Sequence, residues 1–162
     1  MNALTLSISI EPEKISNHLK NLDTKANYQL DKLVYYPYYF FKYKTKAKGL
    51  LKMDGYLGCT IDSISTRGAV IDHSPSFVEE NIQANECLPY TLTPQDAKKA
   101  AEEYLHHTAS LKLKFFSMPK MLLEQQELFF RPYWIMADQK NRRNYPPIII
   151  DAVSGKYHPL NV

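Results

Sequence analysis

Leu4, Leu6, Ile8 and Ile10 alternate with Thr5, Ser7 and Ser9, a period of two that predicts a half-buried strand over residues 4–10. The period then changes. Ile15, Leu19 and Leu22 share one helical face, Pro12 suits a first helical position, and Glu11 and Glu13 suit a helix N-terminus, so the chain predicts a short helix over 12–22. Residues 33–47 are rich in aromatic and β-branched side chains and carry no helical period, which predicts a strand. Pro37 inside it lacks a ladder donor and marks a strand edge, start or bulge. Residues 56–72 read as strand, turn, strand, with Gly68 available for a positive φ. Ser, Pro, Asn and acidic residues over 74–92 read as a linker or long loop.

The clearest helix opens at Thr93, which can cap it, with Pro94 in the first turn and Asp96 closing a capping-box-like pair. Ala97, Ala101, Tyr104, Leu105 and Thr108 form its inward face. Residues 111–117 alternate again and read as a strand, the segment PKMLLEQQEL after them reads as a helical turn, and 129–138 with 147–158 read as a second strand pair. The order helix, Pro-aromatic strand, Asp-containing hairpin thus occurs twice. Tyr36-Pro37-Tyr38-Tyr39 parallels Arg131-Pro132-Tyr133-Trp134, and the hairpin after Asp62 parallels the one after Asp151. The expected fold is α+β: an antiparallel sheet with helices packed on one face, built from two related helix-plus-hairpin repeats. The expected division is 1–76, a linker over 77–92, and 93–162, or one compact domain.

The second half resembles a PepSY-type module. The helix beginning TPQDAKKAAEEYL and the closing Asp151-Ala152-Val153-Ser154-Gly155-Lys156 hairpin carry the likeness, over roughly residues 93–160, and the first half matches more loosely around Asp62 to Gly68. The resemblance implies a non-catalytic interaction module, of a kind often exported or linked to membranes.

Composition sharpens one point. Of the Tyr 12, Phe 7 and Trp 1, eleven fall in two windows, Tyr35 to Tyr43 and Phe129 to Trp134, which occupy matching places in the two halves. Aromatics so placed serve either a shared core or a binding face. The net charge is +3, too mild for a nucleic-acid footprint by charge alone. The opening residues lack a basic n-region and a long apolar stretch, and no run approaches a membrane span, so the expected compartment is the cytoplasm, with Cys59 and Cys87 reduced.

Several residues have a chemical reading beside a structural one. Asp62 and Asp151 could converge as an acid/base pair, but an aspartate before such a turn ordinarily accepts backbone N–H bonds. Cys59 with His73 could pair as nucleophile and base, against a buried structural thiol. His106 and His107 are adjacent on a helix and cannot share a metal at i, i+4 spacing, while His18 and His158 have no ligand-spaced neighbours, so no metal and no cofactor are expected. Arg142 and Arg143 could grip an anion from a loop tip. Lys42, Lys44, Lys46 and Lys48 alternate on one strand face, which extends back through Phe40, Tyr38 and Tyr36. That face could stack bases against a row of cations, or the lysines could guard an exposed edge.

The leading expectation is a non-catalytic, PepSY-like interaction or ligand-binding module rather than an enzyme. Its site would be Tyr36, Tyr38, Phe40, Lys42, Lys44, Lys46, Tyr133 and Trp134, and its partner a protein or peptide, a second copy of the chain included. The alternatives are single-strand nucleic-acid binding through the aromatic and lysine face, and hydrolysis by Asp62 with Asp151.

Overall fold

The computed structural model describes residues 1–46, 54–112 and 120–160. It is α+β. The elements are β1 (Asn2–Leu6), α1 (Pro12–Leu22), β2 (Gln29–Lys46), β3 (Asp54–Asp62), β4 (Gly68–Ile71), β5 (Phe77–Asn81), a 3₁₀ turn at Ala84–Glu86, α2 (Pro94–Lys112), β6 (Lys120–Ala137), β7 (Ile148–Asp151) and β8 (Tyr157–Pro159). The strand order is β4-β3-β2-β6-β1-β5, with β7 paired to β6 and β8 to β7, eight strands in one sheet. Both β2 and β6 are 18 residues long, far above the usual strand length.

The chain forms two compact units, and each draws on distant parts of the sequence. One contains residues 1–36, 76–88 and 130–162; the other contains 37–75 and 89–129. In the second, α2 lays Ala97, Ala101 and Leu105 on Tyr39, Phe41 and Tyr43 of β2 and on Cys59 and Ile61 of β3. Alternation puts those aromatics on one side of β2 and Tyr38, Lys42 and Lys44 on the other. Thr93 caps the helix: its hydroxyl accepts the Asp96 N–H at 3.1 Å and donates to the Asp96 carboxylate at 2.7 Å. In the first unit, α1 lays Ile15 and Leu19 on Trp134, Met136, Ile148 and Ile150.

Four segments differ from the sequence reading. The alternation at the start predicts a strand to residue 10, yet β1 ends at Leu6. Ser9 and Ile10 instead send both N–H groups to the Ala152 carbonyl, at 3.0 Å each. Residues 77–81, inside the stretch expected as loop, form β5, antiparallel to β1. Residues 120–128, expected as a helical turn, are the first half of β6, because strand pairing overrides the local helix propensity of Met, Leu, Glu and Gln. The strand expected over 111–117 begins inside α2, which runs to Lys112, and the rest of it lies outside the described residues.

Candidate functional site: a cleft beside strand β4

The two hairpin turns carry the two aspartates. Asp62 accepts the N–H groups of Ile64 and Ser65 on Oδ1, at 2.8 and 2.9 Å. Asp151 accepts those of Val153 and Ser154 on Oδ1, at 2.9 and 3.3 Å. The backbone bonds also correspond: Asp62 N–H to Arg67 and Thr66 N–H to Asp62 match Asp151 N–H to Lys156 and Gly155 N–H to Asp151. The left-handed residue is Thr66, φ 60°, in one turn and Gly155, φ 75°, in the other. Gly68 therefore does not supply the positive φ that the sequence suggests. It is the first residue of β4, and a Cβ there would meet the Tyr104 ring at 2.4–2.7 Å. Asp151 also receives Arg131 Nε and Nη2 at 3.0 and 2.6 Å and the Ser154 hydroxyl at 2.8 Å. Burial raises its pKa, but these bonds outweigh burial and hold the carboxyl below the usual range. Each aspartate is thus engaged in folding its own turn.

The thiol pair dissolves on burial. Cys59 is fully buried and its thiol is pushed up to about 12, so it holds no thiolate at neutral pH. Arg142 donates to Asp31 at 3.3 Å and to Gln139 at 3.0 Å, which ties the loop tip to β2.

The eight residues of the expected binding face divide between the units. Tyr36, Tyr133 and Trp134 belong to the first. Tyr36 and Tyr133 meet edge to face at 6.2 Å, while Trp134 points into the α1 core and donates its indole N–H to the Ile10 carbonyl at 2.8 Å. Tyr38, Phe40, Lys42, Lys44 and Lys46 belong to the second. Tyr38 stacks on Phe129 at 5.7 Å and stays half-buried, Phe40 is wholly buried, Lys42 and Lys44 are half-buried, and Lys46 is exposed. Trp134 and Phe40 are therefore packing residues rather than an open surface. Lys48 lies outside the described residues.

A cleft of about 170 Å³ remains on the lysine side of the second unit. Lys42, Tyr56, Ile71 and Asp72 line it, over a floor that includes Phe40. The Lys42 ammonium sits over the Tyr56 ring, 4.5 Å from its centroid, and Tyr56 is 57% exposed. The register explains the opening. Lys42 faces Gly58, and Gly58 faces Ile71, whose side chain and carbonyl come within 3.0 and 3.1 Å of where a Gly58 Cβ would stand. Any side chain at 58 would have to displace Ile71 or fill the cleft. Val70, 42% exposed, and Ser74 complete the wall beside β4, the strand at one end of the sheet order.

Against family models, curated proteins and solved structures, this chain has no match. Of the residues expected from the sequence, Lys42 lines this cleft and Phe40 lies buried beneath it, while Tyr56, Gly58, Ile71 and Asp72 were not among those expected. The signal for Tyr56 was its place on the opposing strand of the same hairpin, directly across from Lys44. Among the described residues, no helix is long and apolar enough to cross a membrane.

Proposed function

We propose that this chain is a non-catalytic, PepSY-like interaction module that takes an extended peptide along β4, with an acidic side chain of the peptide held by Lys42 over Tyr56. The observation that carries this reading is the ammonium of the half-buried Lys42 over the exposed Tyr56 ring, both lining a cleft beside an end strand. An end strand offers backbone donors and acceptors for strand addition, and a neighbouring pocket then reads alternate side chains. The like geometry of the Asp62 and Asp151 turns supports descent from two copies of one helix-plus-hairpin unit, with an antiparallel sheet and helices on one face as the ancestral plan.

The test is a titration with a labelled peptide of alternating Val and Glu, followed by anisotropy. Tyr56→Ala should weaken binding about tenfold, the loss of about 1.4 kcal/mol, and Lys42→Gln should act in the same direction. Binding untouched by both variants overturns the reading. Tight binding of a single-stranded oligonucleotide that weakens steeply with salt, with no peptide binding, would favour the aromatic and lysine face as a nucleic-acid groove instead.

A further inference from the structure

The first unit holds a second opening, independent of the peptide reading. It is a cleft of about 200 Å³ beside α1, walled by Ile10, Ile15, Leu19 and Ile150. We propose that it binds a small amphipathic carboxylate: one aromatic ring or a short acyl chain carrying a single anionic head.

Three observations lead to this class. The wall is aliphatic, and a cavity of about 150 Å³ lined by such side chains admits a ligand the size of benzene. The polar side chains at the cleft are Lys14 and His18, one turn apart on α1 and both exposed, with Tyr157 beside them; among the described residues no acidic side chain lines it. A ligand that fits both parts has an apolar body and a negative head. The cleft is also built in advance. Ile10 is held by its N–H to Ala152 and by the Trp134 indole on its carbonyl, at 3.0 and 2.8 Å. Gly155 adopts φ 75°, and a Cβ there would lie 2.6 Å from Ile10 Cδ1, so only glycine keeps that wall open.

Trp134 is the sole tryptophan, it belongs to the same core cluster as Ile15, Leu19 and Ile150, and its indole N–H is bonded to the Ile10 carbonyl, so it reports on the cleft through these wall residues. Titration of the full chain with hexanoate should shift Trp134 fluorescence with saturation at millimolar concentration, the affinity about right for eight heavy atoms. Hexylamine, of the same length and opposite charge, should give no saturable shift. Lys14→Gln should weaken hexanoate about two- to fivefold, the range for an exposed charge. Amide shifts by NMR should concentrate at Ile10, His18, Ile150 and Tyr157. Hexylamine binding as well as hexanoate, unchanged affinity in Lys14→Gln, or shifts located elsewhere would each overturn the proposal. None of these readouts depends on Lys42 or Tyr56, so the two sites stand or fall separately.

Discussion

The turn after Asp62 and the turn after Asp151 share their backbone hydrogen bonds and differ in the side chains that support them. One places a threonine in the left-handed region and the other a glycine. One has Tyr36 before its strand proline; the other has Arg131 in that place, and the guanidinium reaches back to the turn carboxylate. The helix–strand layers show a like contrast. Small Ala97 and Ala101 meet the large Tyr39, Phe41 and Tyr43, whereas the larger Ile15 and Leu19 meet Trp134 and aliphatic strand residues. The lesson is that one backbone turn geometry is supported by different side-chain chemistry at the two places, and that each helix–strand layer pairs its own combination of side-chain sizes.

The largest effect that could break this comparison lies in the layers. Phe41→Ala should cost about 3–5 kcal/mol and Ile15→Ala about 2–3 kcal/mol in chemical denaturation, because the aromatic layer surrenders more volume against a helix too slim to close the gap. The reverse order would show that the α1 layer is the tighter one.

The turn carboxylates come next. Asp151→Ala should cost about 2–3 kcal/mol and Asp62→Ala about 1 kcal/mol, since Asp151 is buried and holds the Arg131 guanidinium, whereas Asp62 is only half-buried. The sign with pH follows from the lowered pKa of Asp151. Its contribution is complete above the ordinary carboxylate pKa of about 4 and fades as pH falls through the lower folded-state value. Acid titration of the wild type should therefore show a stability loss that Asp151→Ala lacks.

The smallest effect is the sharpest. Thr66→Gly should stabilise by about 0.5–1 kcal/mol, as the left-handed conformation is relieved of its Cβ. Gly155→Ala should destabilise by about 1–2 kcal/mol, since it adds the same strain and a contact with Ile10. Equal responses at the two positions would mean that the turns are less alike than their hydrogen bonds indicate.

Much of this was legible in the residues. Pro12 and the Thr93–Asp96 box mark the two helix starts, because capping is local chemistry. The aromatic and β-branched side chains from residue 33 to Lys46 mark most of β2, and aspartate before a short turn marks both hairpins. What stayed hidden depends on distant partners. Residues 120–128 carry helix-forming side chains and become strand only through pairing. The candidate cleft was partly visible, since Lys42 stands in the lysine row of β2, but Tyr56 and Ile71 reach it through a register that no local pattern encodes. Aromatic richness also misled at Trp134 and Phe40, where the rings fill cores.

The interleaving of the two units has a consequence for how the chain is made. During synthesis from the N-terminus, α1 leaves the ribosome long before the strand it packs on. The bond from Trp134 to Ile10 closes a separation of 124 residues. At about 5–20 residues per second, α1 waits several seconds as an amphipathic segment with its apolar face uncovered. The unit holding α2 draws on nothing beyond residue 129 and can close first. Of the two described helices, the one made earlier is therefore the later to find its place.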